Sequence, residues 1–358
     1  MKVAITAGGT GGHIFPALAI INKIKSHDKN SEFLYFGTTD RMEKDIIPER
    51  GIPYIAIPMK GLNRKQVWKN VTVLKIYLQA IKKAETELKK FKPDIVIGVG
   101  GYITAPVLVA ANRLGIKTLI HEQNSIPGVS NKLLSRFVNK ICISFKESEK
   151  YFPKAKTIYT GNPRSEEILL MEKGEREDFG FNHKSKFIIL VMGSLGSLTM
   201  TLKMKELIPA FANKNYQVLV VTGKGYYGDY KDVKTPANVK IVPFYDAKYM
   251  KDADLLITRS GASTIAEVTA LLLPSIMIPS PYVTHNHQFK NAKALEDKKA
   301  CKILEEKDFD KTTLLPLIDD CFQKEVYNEM RENLQEFSCP NSAEAIYKEV
   351  EKLVRNEK

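Results

Sequence analysis

Short apolar runs, many of them rich in Val and Ile, alternate with longer stretches of helical spacing along the whole chain of 358 residues. In the first half these runs predict strands at 2–6, 31–36, 54–57, 94–99, 118–121, 140–143 and 157–159. In the second half they predict strands at 187–192, 216–222, 239–242, 255–258, 275–278 and 300–303. Many are unbroken runs, the pattern of strands buried on both faces of a parallel sheet. Their alternation with helices predicts an α/β chain, doubly wound with right-handed crossovers. The pattern pauses in the polar stretch 165–186 and restarts at Phe187. Two Rossmann-like domains facing a cleft are therefore expected, 1–162 and 163–340, with a hinge near Gly161-Asn162-Pro163. A last helix at 343–355, within 341–358, is expected to pack back on the first domain.

The unusual residues fall where these strands end. Clusters follow seven of them: Gly8 to His13, Gly98 to Tyr102, His121 to Ser125, Gly161 to Arg164, Gly193 to Ser197, Gly223 to Gly225, and Arg259 to Thr264. Open parallel sheets bind ligands outside the carboxyl ends of their strands, so the clusters predict one large site. In the first, Ala7-Gly8-Gly9-Thr10-Gly11-Gly12-His13 runs into an apolar stretch, 14–24, with Pro16 in its first turn. Glycines there let backbone approach a ligand, and the helix start behind them suits a phosphate. The loop lacks the Lys-Ser/Thr of a P-loop; a dinucleotide reading stays open.

A hydrophobic content of 44% supports buried sheets. No stretch is apolar and long enough to span a bilayer, and no signal peptide precedes the first strand. Cys142, Cys301, Cys321 and Cys339 are scattered, which reads as buried thiols in a reducing compartment. Net charge is +13, and residues 1–160 hold 26 Lys and Arg against 12 Asp and Glu. Residues 60–92 alone hold ten basic and two acidic residues, which points to nucleic acid, to a membrane surface, or to a solvated basic helix.

Arg259-Ser260-Gly261-Ala262-Ser263-Thr264-Ile265-Ala266-Glu267 follows a strand and opens a helix. Ser260 or Ser263 is expected to cap that helix, whose first N–H groups suit a diphosphate. Glu267 either accepts ribose hydroxyls or stabilises the positive helix end.

Together these blocks resemble a known family. Thr6 to Pro16, Gly100-Gly101-Tyr102, His121-Glu122-Gln123-Asn124 with Asn131-Lys132, Gly161-Asn162-Pro163-Arg164, and Arg259 to Ala262 with Glu267 and Gln288 carry the likeness, in order over nearly the whole chain. The family is the bacterial N-acetylglucosaminyltransferase of peptidoglycan synthesis. The resemblance implies a glycosyltransferase type B fold. It implies inverting transfer of N-acetylglucosamine from UDP-N-acetylglucosamine to the muramoyl C4 hydroxyl of lipid I, giving lipid II, with no cofactor and no metal. By the same resemblance, Thr10, Gly11 and Gly12 close over the donor sugar and diphosphate. Asn124 contacts sugar, Arg164 and Ser194 belong to the donor site, and Ala262, Ser263, Thr264, Ile265, Ala266 and Glu267 hold diphosphate and ribose. Gln288 reaches the sugar hydroxyls, and Tyr245 stands where backbone reads uracil. Leu195 and His287 depart from the family pattern, which usually has glutamine at both places.

The chemistry needs a base. His13 has a suitable ordinary pKa, or else it only hydrogen-bonds its own loop. Glu122 is the other candidate, or else it orients its neighbours. A UDP-N-acetylglucosamine 2-epimerase and a non-catalytic nucleotide-sugar binder are the rival readings. With lipid I as acceptor, the basic segment reads as a dock on the anionic cytoplasmic leaflet, without nucleic acid, and the protein as peripheral to that face. Leu74, Leu78, Ile81 and Leu88 are expected to form a helix's core face. That leaves Val67, Trp68 and Val71, set among Lys65 and Lys69, to meet lipid, unless Trp68 packs inside.

Overall fold

The structure, a computed structural model, describes residues 1–59, 70–192, 198–283 and 286–356, with backbone alone for 70–72. The chain divides into two compact units, Met1–Arg164 with Asn341–Lys358, and Ser165–Pro340.

In unit 1 the strands are β1 (Lys2–Ala7), β2 (Glu32–Thr38), β3 (Tyr54–Ile57), β4 (Ile95–Gly100), β5 (Lys117–Glu122), β6 (Lys140–Ile143) and β7 (Thr157–Tyr159). They form one sheet in the order β3-β2-β1-β4-β5-β6-β7. Every pair is parallel. The helices of this half are α1 (Gly11–His27), α2 (Glu43–Glu49), α3 (Asn70–Phe91), α4 (Thr104–Arg113) and α5 (Val129–Leu134), followed along the chain by α6 (Arg164–Leu170), which spans the boundary in sequence. Period-two alternation sorts the strands between two cores. Val3, Ile5 and Ile97 join Ile14, Ile20 and Ile24 of α1 on one face. Ala4, Val96 and Ile120 join Ile81, Ala84 and Leu88 of α3 on the other. Each large aliphatic side chain so buried contributes about 1.5–3 kcal/mol.

Unit 2 contains β8 (Lys186–Val191), α7 (Leu198–Leu207), β9 (Tyr216–Val221), β10 (Val239–Val242), β11 (Leu255–Thr258), α8 (Ala262–Leu271), β12 (Ser275–Met277), α9 (His287–Glu296), β13 (Lys302–Ile303), α10 (Lys311–Cys321) and α11 (Lys324–Leu334). Its sheet order is β10-β9-β8-β11-β12-β13, again parallel throughout. The last helix, α12 (Ser342–Val354), belongs to unit 1. Its Ile346, Tyr347 and Val350 enter the core of α1, its Ser342 hydroxyl donates to the Asn162 carbonyl at 2.6 Å, and the Tyr347 ring stacks 3.9 Å from that of His27.

Strand order reverses between β1 and β4 in unit 1 and between β8 and β11 in unit 2. Such switch points open a crevice at the carboxyl ends of the flanking strands, so topology alone marks one candidate site in each unit.

Two expectations about helices are corrected. Helix α1 starts at Gly11, three residues before the apolar run, so Pro16 lies in its second turn. Gly11 and Gly12 are themselves helical, because the apolar residues behind them are anchored in the core. On α3, Leu74 and Leu78 are 60% and 54% exposed, while Ile81, Ala84 and Leu88 are buried. The first turns of α3 therefore present Leu74 and Leu78 outward, and the buried stripe runs from Ala80 to Leu88.

Candidate active site

At the unit 1 switch point, the Gly8 amide donates to the Gly100 carbonyl at 3.3 Å and ties the end of β1 to that of β4. Gly100 has φ of +111°, and a Cβ there would stand 2.5 Å from Cδ2 of His13, so only glycine lets the ring lie against the strand end. His13 Nδ1 lies 3.2 Å from the Gly8 carbonyl and 3.4 Å from Oγ1 of Thr10. A carbonyl only accepts, so Nδ1 carries the proton and the lone pair of the neutral ring sits on Nε2. Thr10 is the N-cap of α1, and its side chain makes no capping bond. The first N–H groups of α1, at Gly11 and Gly12, are thus left to an incoming anion. The Arg164 guanidinium lies 5.6 Å from the centre of the Phe15 ring, which brings a buried cation to the same turn.

Glu43, which the sequence reading passed over, is the hidden member of this site. It is fully buried at the start of α2 and accepts from the Gly9 amide at 3.2 Å, the Thr38 amide at 3.1 Å and the Thr38 hydroxyl at 2.7 Å. In sequence, Glu43-Lys44-Asp45 carries no motif that marks it. Only the pairing of β2 with β1 sets it behind the glycine loop.

At the end of β5, burial lowers the pKa of His121 to about 4. The ring is therefore neutral near pH 7. Its Nδ1 accepts from the Gln123 amide at 3.0 Å and its Nε2 donates to the Gly161 carbonyl at 3.1 Å. Glu122 is also buried. One oxygen accepts from the Asn124 amide and side chain at 2.9 and 3.1 Å; the other accepts from the Gly128 amide and the Asn131 side chain at 3.0 and 2.9 Å. A carboxylate holding four donors organises its loop, which supports the orienting role for Glu122 over that of a base, and fixes the direction in which Asn124 faces.

In unit 2, β11 runs through Arg259 and Ser260 into α8. The N-cap is Gly261, with no side-chain cap, so neither Ser260 nor Ser263 caps this helix. Their hydroxyl oxygens are buried and have no partner among the described residues. The reason is local: Gly261 holds the N-cap position, with Ser260 one residue before it and Ser263 already inside the helix. By contrast Asp310 caps α10 through the Thr312 and Thr313 amides, so this chain does seal helix starts elsewhere. On α8, Ala262, Ile265 and Ala266 are buried and offer ligands only their backbone, whereas Ser263, Thr264 and Glu267 share the half-buried face. Arg259, a cation in the same motif, is tied up: it donates to the Ile278 carbonyl at 3.2 Å and to Glu306 at 2.6 Å. The Gln288 side-chain oxygen accepts from the Ser280 amide at 2.8 Å, which orients its amide nitrogen. Tyr245 is half-buried after β10.

Ser194, Leu195, Lys65, Val67, Trp68 and Lys69 lie outside the described residues, as does the side chain of Val71. Among the described residues, a cluster of Glu175, Glu177, His183 and Asp252 comes together at metal-like spacing, away from both switch points. Lys173 bridges its Glu175 and Asp252 at 2.9 and 2.8 Å. No described helix is long and apolar enough to cross a membrane.

Two parallel sheets, each with an uncapped helix or a glycine loop at its switch point, define a two-domain α/β protein with Rossmann-like units, and its likeness to known proteins makes it a glycosyltransferase of the type B fold. Residues 3–143 match the glycosyltransferase family 28 N-terminal domain, and residues 187–346 the family 28 C-terminal domain. A UDP-N-acetylglucosamine–N-acetylmuramyl-(pentapeptide) pyrophosphoryl-undecaprenol N-acetylglucosamine transferase of Bacillus cytotoxicus is 40% identical over 364 residues, 99% of this chain and 100% of the relative. The enzyme of the same name from Bacillus pumilus is 41% identical over 355 residues, 97% of this chain and 98% of the relative. The crystal structure of Acinetobacter baumannii MurG aligns with a TM-score of 0.78 at 28% identity, covering 98% of this chain and 99% of that one. A putative UDP-N-acetylglucosamine 2-epimerase from Listeria monocytogenes aligns at 0.74 with 11% identity, covering 100% and 97%, and shares the fold alone. The chain belongs to the family of UDP-N-acetylglucosamine–N-acetylmuramyl-(pentapeptide) pyrophosphoryl-undecaprenol N-acetylglucosamine transferases.

Proposed function

We infer that the chain transfers N-acetylglucosamine from UDP-N-acetylglucosamine to the muramoyl C4 hydroxyl of lipid I, forming lipid II. The observation that carries the reading is the turn in which an imidazole with Nδ1 committed to a peptide carbonyl adjoins an uncapped helix start. Base and anion cradle stand together there. Nε2 of His13 takes the C4 hydroxyl proton as that oxygen attacks the anomeric carbon. The bond to the β-phosphate oxygen breaks, and UDP leaves with the electron pair. Attack opposite the leaving group inverts the α-linked donor to a β-1,4 product. The amides at the start of α8 and the Arg164 guanidinium stabilise the charge on the departing diphosphate. Glu267 accepts from the ribose hydroxyls, Gln288 and Asn124 address the sugar, and backbone at Tyr245 reads uracil. Residues 1–162 with 341–358 serve the acceptor and 163–340 the donor.

Lipid I is membrane-bound, and unit 1 has a surface suited to an anionic leaflet on the cytoplasmic face. Leu74 and Leu78 on α3, with Val129, Leu133 and Phe137 on and after α5, are all more than half exposed. Lys75, Lys132 and Arg136 lie among them in sequence and are exposed as well. Both helices cover the same face of the sheet, since Ala80 and Ile81 of α3 and Leu134 of α5 enter one core. Apolar side chains beside lysine and arginine suit headgroups over acyl chains.

UDP release with a soluble lipid I analogue present or absent tests the reading. Release that depends on the analogue supports transfer. Release without it, or conversion of the free donor to its 2-epimer, overturns it.

A further inference from the structure

The peptide unit between Gly8 and Gly9 has a group bound on each side. Its N–H, on Gly9, donates to Oε2 of Glu43 at 3.2 Å. Its carbonyl, on Gly8, accepts from Nδ1 of His13 at 3.2 Å. Both groups belong to one planar amide. Glu43 is fully buried, and the three groups bonded to it are all donors, which complements an ionised carboxylate. The carboxylate also lies close against the loop: a Cβ on Gly8 would stand 2.5 Å from its Oε1.

We propose that Glu43 is a positioning residue for the transfer reaction, acting on His13 through the Gly8–Gly9 peptide. An anion that accepts from an amide N–H draws negative charge onto the carbonyl oxygen of the same unit, and hydrogen bonds in such a chain strengthen one another. The Gly8 carbonyl therefore grips the Nδ1 proton more firmly. This fixes the tautomer with its lone pair on Nε2 and raises the affinity of Nε2 for a proton. When the ring takes a proton from the acceptor hydroxyl, its positive charge is shared along the same line to Glu43. The carboxylate stays ionised throughout and no proton crosses the peptide. The proposal rests on the reading of His13 as the base.

Other titratable or charged groups face this pair. His121 on β5, whose pKa is lowered chiefly by burial and further by His13, is neutral near pH 7 and adds no charge there. Arg164 lies over Phe15, two residues along α1. Arg41, hydrogen-bonded to Tyr102, faces Glu43 from before α2. Arg164 opposes protonation of His13 and Arg41 dampens the effect of the carboxylate, so removing Glu43 leaves a more hostile setting for an imidazolium.

The test is an NMR titration of the histidine rings in the full chain without nucleotide, for wild type, Glu43→Gln and Glu43→Asp, paired with the pH profile of kcat/KM. In Glu43→Gln the His13 midpoint is expected to fall by roughly half a unit or more, and the acid limb of kcat/KM to fall with it. Glu43→Asp keeps the charge but draws it back by one methylene, so a smaller fall is expected. A role in packing alone would change KM or stability and leave both midpoints in place. An unchanged His13 midpoint in the folded variants overturns the proposal, and Glu43→Asp carries this test if Glu43→Gln does not fold. A shifted midpoint with an unmoved acid limb upholds the link from Glu43 to His13 and removes His13 as the base.

Discussion

Arg164 sets its guanidinium over the ring of Phe15, 5.6 Å from the ring centre, although 149 positions separate them in the chain. The cation is buried and its own amide is held by the Asn162 side chain at 3.1 Å. Phe15 thus acts as a shelf for this guanidinium, which we propose stabilises the departing diphosphate. Arg164→Ala is expected to lower kcat by about 10- to 100-fold, the loss of a charge-assisted contact in the transition state. Phe15→Leu keeps the charge but removes the π face, worth ~0.5–2 kcal/mol, so a smaller loss is expected. Steady-state rates with the lipid I analogue measure both; equal losses would show that the ring does more than support the cation.

Glu267 is expected to bind donor. Glu267→Ala should weaken UDP binding by roughly 1–3 kcal/mol while leaving the fold intact. Calorimetry with UDP reads this directly, and unchanged affinity would take Glu267 out of the site.

His13→Ala should behave in the opposite way. UDP affinity stays near wild type while kcat falls by ~10²–10⁴-fold. Wild-type turnover in this variant would send the search for a base back to Glu122.

His121 predicts a pH dependence of stability. Its folded pKa of about 4 lies below the ordinary value of 6.5, so between those values the unfolded chain binds more protons than the native one. Stability from the neutral ring is complete above pH 6.5 and is lost as pH falls toward 4, by about 3 kcal/mol in all. Asp252, held at about 2 by Arg176 and Lys173 against its own burial, loses its contribution only at lower pH, as it titrates from 3.8 downward. Urea unfolding at pH 7.5 and 4.5, followed by circular dichroism, should show the first loss in wild type and a flattened dependence in His121→Asn. An equal slope in the variant would refute the assignment.

For the membrane surface, Leu74→Glu with Leu78→Glu is expected to cut co-sedimentation with anionic vesicles severalfold, and wild-type binding should weaken as salt rises. Undiminished binding by the folded double variant would place the contact elsewhere.

Much of this was legible in the sequence because strand ends carry their own punctuation. The strands at 54–57, 140–143, 157–159, 239–242 and 255–258 lie where the apolar runs put them. The glycine loop before α1 announced itself by composition. What stayed hidden depended on pairing across the sheet. Glu43 looks like a surface residue until β2 is set beside β1, and Arg259 looks like a ligand-binding cation until β12 and Glu306 close around it. Leu74 and Leu78 misled for a different reason: helical spacing names a stripe but not which turns of a helix overhang the sheet.

Helix α12 gives the chain's last described segment a part in the first unit's core, beside α1. In the order of synthesis, the core that α1 shares with α12 is therefore left incomplete until all of unit 2 has been made. A nascent chain stopped at 340 has every residue given a part in the chemistry and still lacks Ile346, Tyr347 and Val350 from the core that α1 shares. Chaperone dependence and premature proteolysis of such a product would then report on a helix far removed, in sequence, from the helix it packs against.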